Sequence, residues 1–318
     1  MKPWLQDLGG GVHAIDTAFV RDAFDAAYLL VRRGRAAYVD TGTRFALPRL
    51  LGALDELGLS RDAVEWVIPT HVHLDHAGAV GALVAELPQA RVLVHPRGAR
   101  HMIDPSALWQ GALAVYGAEE MARSYGELTP VAAERVVSSS DGMQLELGGS
   151  TLRLIDTPGH ARHHHCIWDE DTRGWFSGDT FGISFDEFTT ARGRWIFPTT
   201  TPVQFEPEAL RASIGRMLAA APACMYLTHF GRVHEVERLS VLLLGLLDRI
   251  VTLGESLRGE TDRMPRLREG LRTIFLESLA AHGCTLSAEQ VVRLLEVDLE
   301  LNAQGIQAWL DRDQRARG

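Results

Sequence analysis

Lysine is almost absent from this chain, since Lys2 is the only one and every other basic residue apart from histidine is arginine. A buried lysine amine can lose its proton, whereas an arginine guanidinium stays protonated in proteins. The composition therefore effectively excludes mechanisms that need a general-base lysine or a lysine Schiff base.

Cysteine is scarce as well. The three cysteines, Cys166, Cys224 and Cys284, lie far apart and form no Cys-x-x-Cys pair. An odd number without close spacing does not describe a disulfide framework. We expect all three to be reduced thiols that pack as small apolar side chains.

Long hydrophobic runs are also missing. No apolar stretch reaches the roughly 20 residues that a membrane helix needs, and the start of the chain has no apolar signal-peptide core. The formal net charge of -9 argues against a general affinity for nucleic acid or anionic membranes. We therefore expect a cytoplasmic protein that acts on a small molecule and binds neither nucleic acid nor membrane.

The pattern of apolar residues predicts an α/β protein. FDAAYLLVRRGRAAYVDTG predicts a hairpin around an Arg-Arg-Gly turn, and a second hairpin is expected around Gly148 and Gly149. Strand pairs in two halves, with helices outside them, indicate two sheets stacked inside a helical coat. From about Val236 the pattern is helical, which predicts domains at 1–235 and 236–318. The second is either a helical subdomain packed on the core or a module for homodimerisation.

Three histidines and an aspartate crowd into HVHLDH, directly after the predicted buried strand VEWVIP. His71 and His73 are two apart in an extended segment, so their side chains point the same way. Asp75 and His76 follow at the turn into a helix. Imidazole nitrogens and a carboxylate are natural ligands of zinc, and they also suit iron or manganese. Four such groups would repel one another without a cation, so the motif predicts a metal site.

Residues of the same types follow predicted strands downstream. His160 ends IDTPGH, Asp179 lies in FSGDT, and His229 lies in MYLTHFG. Any one of these three residues alone is weak evidence for a metal site. Together with HVHLDH they give five histidines and two aspartates at the same position relative to successive strands.

In this order the motifs resemble the ligand set of the metallo-β-lactamase fold hydrolases, which include glyoxalase II, tRNase Z and lactonases. The resemblance covers roughly residues 10–235 and implies an α/β fold, a four-layer αββα sandwich, with the helical end as an added subdomain. It also implies two divalent metal ions with these ligands: His71, His73 and His160 for one, Asp75, His76 and His229 for the other, and Asp179 bridging both.

The resemblance also implies a mechanism. In such two-metal sites a hydroxide that bridges the ions is the nucleophile, because coordination lowers the pKa of water from 15.7 towards about 7. The ions polarise the scissile carbonyl or phosphoryl group and stabilise the charge that develops there. Asp75 is the candidate catalytic proton acceptor, although a metal ligand keeps little basicity. We expect zinc, with iron and manganese as alternatives.

Two more residues are candidates for orienting the ligands. Asp40 in YVDTG ends a predicted strand, where the resemblance suggests a carboxylate bonded to a ligand histidine. An ordinary Asp-Thr-Gly turn is the equal alternative. His164 matches the second histidine of the family's TPGHxxGH pattern, and His163 stands where that pattern has glycine. Because neighbours on a strand face opposite ways, we expect at most one of the two near the metals.

Differences between this sequence and named relatives narrow the range of reactions that the protein could catalyse. The best-known zinc β-lactamases have a cysteine where Asp179 stands and a lysine for the substrate carboxylate, and glyoxalase II also uses lysines. The excess of acidic over basic residues does not fit the tRNase Z branch, which needs a basic arm and a positively charged face. The resulting hypothesis is a glyoxalase II-like dinuclear metal-dependent hydrolase of a small ester, thioester, lactone or phosphodiester. The alternatives are an iron-dependent redox enzyme similar to persulfide dioxygenases and a non-catalytic, metal-stabilised binding scaffold.

Substrate contacts are expected in FGISFDEFTTARGRWIFPTTTP, because this segment after Asp179 is long and aromatic for a connection. Its aromatic residues would wall a pocket or, in the competing interpretation, seal the core against the C-terminal helices. The candidate substrate residues, including an anion anchor two residues after His160, are Arg162, Phe181, Arg192, Arg194 and Trp195.

Overall fold

A computed structural model describes residues 2–200, 202 and 204–317, except for the side chains of residues 316 and 317. By its contacts the chain forms two compact units. The first contains the chain up to Asp156, His163–Gly178 and Pro222–His234, and the second contains Thr157–Arg162, Asp179–Ala221 and the chain from Glu235 onward. The helical end thus shares its unit with two earlier segments, whereas the sequence suggested a single boundary near residue 235.

The first unit contains a seven-stranded mixed sheet whose strands follow one another in chain order. The first four strands pair antiparallel, and the remaining three join the sheet in parallel. The strands are β1 (Leu5–Asp7), β2 (Val12–Asp16), β3 (Ala26–Arg32), β4 (Arg35–Val39), β5 (Val64–Ile68), β6 (Arg91–Val94) and β7 (Val136–Ser138).

A second, six-stranded mixed sheet belongs to the same unit. Its order is β13-β12-β11-β10-β9-β8, and only β11 and β12 pair in parallel. The strands are β8 (Gln144–Leu147), β9 (Ser150–Asp156), β10 (His165–Asp169), β11 (Gly174–Gly178), β12 (Cys224–Leu227) and β13 (Gly231–Val233).

Both predicted hairpins are confirmed, and their turns explain why. Arg33 and Gly34 join β3 to β4 with φ values of 48° and 78°, and Gly148 and Gly149 join β8 to β9 with values of 55° and 85°. Two successive residues with positive φ are typical of the two-residue turn whose twist matches that of the flanking strands.

The two sheets share an apolar core. Tyr28 and Val39 of the first sheet lie in one buried cluster with Ile167, Phe176 and Tyr226 of the second, and the Phe176 and Tyr226 rings stack at 4.5 Å. The other face of the first sheet packs against helices in a second buried cluster. The helices of the first unit are α1 (Leu47–Glu56), α2 (Leu74–Ala77), α3 (Val80–Glu86), α4 (Pro96–Ile103), α5 (Ser106–Tyr116) and α6 (Ala118–Glu120).

The helices of the second unit confirm the helical pattern after Val236. One of them ends at Gly283 in the left-handed conformation, a common helix stop, and the next begins with a capping box of Ser287 and Gln290. None of the helices in the described ranges is long and apolar enough to cross a membrane. The helices are α7 (Pro207–Leu218), α8 (Val236–Ser256), α9 (Met264–His282), α10 (Ala288–Leu294) and α11 (Glu296–Arg317).

Aromatic side chains fill the core of the second unit. The Trp195 ring contacts Phe197 at 5.0 Å and Phe275 of α9 at 5.8 Å, and its Nε1 donates to Ser278 Oγ at 2.9 Å. Phe181 and Trp195 are both 0% exposed. A side chain without exposed surface has no face for a ligand, so the prediction that these two residues wall a substrate pocket is corrected. They pack in the core, as the competing interpretation held.

Candidate metal centre

The HVHLDH motif begins after β5 and runs into α2, so its side chains gather at one end of the first sheet. His71 is fully buried, and its Nε2 lies 2.7 Å from Nδ1 of His73. The rings of His71 and His76 lie 4.0 Å apart, centroid to centroid. Three imidazoles of one short motif therefore converge, as the spacing predicted.

Asp75 faces two imidazoles at distances that suit a shared cation. Its Oδ2 lies 3.7 Å from His76 Nε2 and 3.4 Å from Nε2 of His229, the residue two positions after β12. Zinc bonds of about 2.0–2.1 Å in tetrahedral geometry separate ligand atoms by about 3.3–3.4 Å. Each of the three residues can offer one ligand atom within 4.8 Å of the other two. This donor set fits a divalent ion.

Hydrogen bonds fix which nitrogen each of these histidines offers. His76 Nδ1 lies 2.9 Å from Asp40 Oδ2, and His229 Nδ1 lies 3.1 Å from the Phe24 carbonyl oxygen. Since both partners can only accept, each Nδ1 carries the proton. Each Nε2 then has its lone pair directed at the Asp75 side, which is the arrangement that protein metal sites use.

Asp40 is a fully buried carboxylate that collects several donors besides His76. It accepts from Thr70 N at 2.7 Å, from Thr70 Oγ1 at 3.0 Å and from Thr228 Oγ1 at 2.8 Å. Its φ of 56° lies in the left-handed region, which aspartate and asparagine tolerate better than most residues. Of the two interpretations of YVDTG, the contacts favour the carboxylate that orients a histidine.

The second unit repeats this arrangement with the other predicted ligands. His160 Nε2 lies 3.3 Å from Asp179 Oδ2, and His160 Nδ1 lies 3.4 Å from the Thr199 carbonyl oxygen. Both His160 and Asp179 are buried. Again the carbonyl acceptor assigns the proton to Nδ1 and leaves Nε2 as the ligand atom, next to a carboxylate.

His163 and His164 both lie beside the predicted ligand His71, so the expectation that at most one of them would do so is wrong. Both rings stack on His71, His164 at 4.8 Å and His163 at 6.1 Å, and the His163 ring also contacts that of His73 at 5.4 Å. The reason is local: β10 begins only at His165, so His163 and His164 lie in the preceding turn. Alternation of side chains across a strand does not apply there.

His165 points away from this cluster and is held neutral. Its Nδ1 lies 2.8 Å from Ser139 Oγ, and its Nε2 donates to the Pro69 carbonyl oxygen at 3.0 Å. Burial, followed by the nearby His95, lowers the pKa of His165 from 6.5 to about 3. The fold therefore excludes a proton that the unfolded chain would take up.

This exclusion predicts a loss of stability in mild acid. Below pH 6.5 the unfolded chain protonates His165 and the folded chain does not, so stability falls until the pH approaches 3. The cost is about 1.4 kcal/mol per pH unit, hence about 2 kcal/mol at pH 5. Urea unfolding at pH 7.5 and pH 5 measures this effect. Between these two pH values the unchanged protein should lose more of its free energy of unfolding than His165→Gln does. Equal losses would show that His165 is not the residue responsible.

The predicted anion anchors are engaged within the second unit. Arg162 Nε donates to Glu206 Oε1 at 2.7 Å, and Arg192 Nη1 donates to the Ala281 carbonyl oxygen at 2.7 Å. Arg194 forms an ion pair with Asp186. These guanidinium groups cross-link parts of their own unit, and their binding of a substrate anion stays a prediction.

Asp25 was not predicted from the sequence. It is fully buried before β3, and its Oδ2 accepts from Thr17 Oγ1 at 2.7 Å. Burial raises its pKa to about 7, against the lowering effect of His229 and His76. The signal available in the sequence was a carboxylate directly before the apolar run AAYLLV.

The comparison with known families now decides the relationship. The family model for the metallo-beta-lactamase superfamily matches residues 22–229. The chain belongs to this superfamily. The match spans every predicted ligand from His71 to His229, and it confirms the predicted αββα fold, with α8–α11 added after it.

Curated relatives are distant. The chain is 29% identical over 176 residues to a metallo-beta-lactamase fold-containing protein of Sulfurisphaera tokodaii, covering 54% of this chain and 62% of the relative. It is 27% identical over 186 residues to the acyl-coenzyme A thioesterase MBLAC2 of Homo sapiens, covering 55% and 64%. It is 29% identical over 153 residues to the hydroxyacylglutathione hydrolase of Methylococcus capsulatus, covering 48% and 46%. The chain thus spans less than two thirds of the length of these relatives.

Solved structures share the fold. A crystal structure of an archaeal metallo-beta-lactamase superfamily protein from Sulfolobus tokodaii has a TM-score of 0.65 at 21% identity, covering 93% of this chain and 98% of that one. A family protein from Thermus thermophilus has a TM-score of 0.63 at 23% identity, covering 90% and 94%.

Proposed function

We propose that this protein is a hydrolase that uses two divalent metal ions to cleave a carboxylic thioester or ester. The observation that carries the proposal is the set of Asp75, His76 and His229, in which both imidazoles have a protonated Nδ1 and direct Nε2 at one carboxylate. Carboxylate and imidazole together hold zinc in many hydrolases.

The remaining proposed ligands are assigned from the order of the family's motifs. His71, His73 and His160 would hold one ion, Asp75, His76 and His229 the other, and Asp179 would bridge them. When bound, the ions would supply an activated water and a Lewis acid for the carbonyl oxygen.

The chain's own residues supply orientation and a proton acceptor. Asp40 and the Phe24 carbonyl keep the imidazoles of His76 and His229 in one tautomer. The Asp75 side chain is 25% exposed, so it can reach a substrate as well as the histidines, and we assign it the proton-accepting role.

The proposed substrate class rests on the relatives. One is named as an acyl-coenzyme A thioesterase and another as a hydroxyacylglutathione hydrolase, and acyl-coenzyme A and acylglutathione are both thioesters. Lysine is absent after Lys2, so a phosphate or carboxylate of such a thioester would have to be bound by arginine or by backbone N–H groups. Lactones and phosphodiesters remain alternatives within the test.

Metal analysis and a substrate panel test the proposal together. Protein purified without chelator should hold two ions per chain and turn over acyl thioesters or aryl esters, and His71→Ala should lose this turnover. His101→Ala, a histidine on α4, is the matched control. One ion or fewer per chain contradicts the dinuclear site. Two ions without turnover of any ester, thioester, lactone or phosphodiester supports the binding scaffold, and iron with oxygen consumption supports the redox alternative.

A further inference from the structure

A strained loop joins β2 to β3 beside the metal centre. In residues 17–25, Ala18, Val20 and Ala23 have φ values of 63°, 60° and 54°, which residues with a Cβ atom rarely adopt. Asp16 holds this shape, since its Oδ1 accepts from Ala18 N at 2.8 Å and its Oδ2 accepts from Ala23 N at 3.1 Å. Strain that is held in this way is concentrated at ligand sites. The loop presents Val20 with 62% of its surface exposed.

Aromatic contacts connect this loop to a candidate metal ligand. The Phe24 ring meets the His229 ring edge to face at 5.5 Å, and Phe19 meets Phe24 at 5.8 Å. Phe19 also contacts Tyr125 at 5.4 Å, and Tyr125 contacts Tyr116 of α5 at 5.0 Å. An unbroken series of rings thus leads from His229 to the end of α5.

The helix at the end of this series is apolar and lies at the surface. α5 has the sequence SALWQGALAVY, which contains no charged residue, and none of its residues is buried. Leu108, Trp109 and Leu113 are only partly buried, against a cluster that contains Leu74. Leu74 lies between His73 and Asp75 in the metal motif, so the helix adjoins the motif directly.

Phe19 and the apolar residues of α5 pack on one buried cluster, and Val20 directly follows Phe19 in the chain; we call this group the α5 patch. Large contiguous apolar surfaces on soluble proteins mark interaction sites or ligand-binding grooves. The patch is linked to His229 and to the metal motif through the buried side chains of Phe24, Tyr125 and Leu74, so it lies beside the metal centre. Because it lacks charge, we expect its occupant to be apolar. The α5 patch consists of Phe19, Val20, Leu108, Trp109, Leu113 and Tyr116.

We propose that the α5 patch binds the apolar chain of a medium- or long-chain acyl substrate whose carbonyl group lies at the metal centre. This inference rests on the proposed hydrolysis of esters or thioesters and specifies its substrate. The apolar chain would be removed from water along Val20 and α5, while the charged or polar leaving group stays off the patch. Chain length, rather than the leaving group, would then dominate recognition on this side of the site.

Calorimetric titration of the metal-loaded full chain tests the patch without relying on catalysis. The probes are butanoate, octanoate and dodecanoate, the products that acyl hydrolysis would release. Affinity should rise with length, by at most about fourfold per methylene that leaves water. Val20→Asp should weaken dodecanoate at least about tenfold and leave butanoate unchanged, because only the long chain reaches the patch. Val20 is exposed and aspartate tolerates its positive φ better than valine does, so this variant should fold.

The control and the contrary outcomes separate this proposal from the proposed function. Val241→Asp changes a valine of α8 that is 71% exposed, and it should leave all three affinities unchanged. Equal affinities for the three chains, or equal losses for butanoate and dodecanoate in Val20→Asp, would overturn the acyl site. A dimer in sedimentation that Val20→Asp dissociates would overturn it in favour of contact between two copies. Length-dependent binding without hydrolysis of any acyl compound would support the patch while rejecting the hydrolase.

Discussion

The variant Asp40→Ala should have a free energy of unfolding about 3–5 kcal/mol below that of the unchanged protein. Asp40 is fully buried and accepts from Thr70 N, Thr228 Oγ1 and His76 Nδ1 at 2.7–2.9 Å. Each buried donor that loses its acceptor costs about 1–3 kcal/mol. Alanine also fits poorly at the φ of 56°. Urea unfolding at pH 7.5, with and without chelator, measures the loss apart from any metal effect.

Asp40→Asn is the matched control, because it separates the effect on stability from the effect on metal binding. Asparagine tolerates the same positive φ and keeps an oxygen for Thr70 N, but its amide is a poorer acceptor for His76 Nδ1 than a carboxylate. We expect it to lose about 1–2 kcal/mol of stability and to bind metal about 10–100-fold more weakly. Unchanged metal affinity in both variants would reject the role of Asp40 in orienting His76.

Asp75→Ala should release one of the two proposed ions and lower kcat/KM on the best acyl substrate by about 10²–10³. Asp75 Oδ2 lies 3.4 Å from His229 Nε2 and 3.7 Å from His76 Nε2. Without this carboxylate, neutral imidazoles face the cation at that position, so both charge balance and the proposed proton acceptor are lost. Since the Asp75 side chain is 25% exposed, the metal-free fold should change in stability by no more than about 0.5–1 kcal/mol.

Elemental analysis and the absorption spectrum of the cobalt-substituted protein measure this effect. The control is Glu119→Ala, an exposed carboxylate on α6 in the same unit, which should keep both ions and full activity. If Asp75→Ala retains two ions at full occupancy, Asp75 is not a ligand. If it loses an ion but keeps kcat/KM, that ion does not take part in the reaction.

Features encoded within a few residues could be predicted from the sequence. The hairpin turns at Arg33-Gly34 and Gly148-Gly149 follow from residues that accept positive φ, and HVHLDH gathers its side chains because an extended segment meets a helix. The types of ligand were equally visible, since few other roles bring several histidines and aspartates to the ends of strands. The composition alone excluded mechanisms that need a general-base lysine or a lysine Schiff base.

The predictions that failed depended on partners far away in the chain. Trp195 is buried because α9, about 80 residues later, supplies Phe275 and Ser278. His163 and His164 both reach His71 because β10 starts at His165, two residues later than alternation of these two side chains across a strand would require.

The sequence by itself determined the fold family and the kinds of atoms available to the metals, because both depend on local patterns and on the order of motifs. Only the tertiary structure decided which nitrogen each histidine presents. That choice depends on an acceptor 36 residues away for His76 and 205 residues away for His229, and no local pattern specifies such a hydrogen bond. The burial of Asp25 and the apolar surface between residues 17–25 and α5 have the same origin: packing brings distant segments together and excludes water from the space between them.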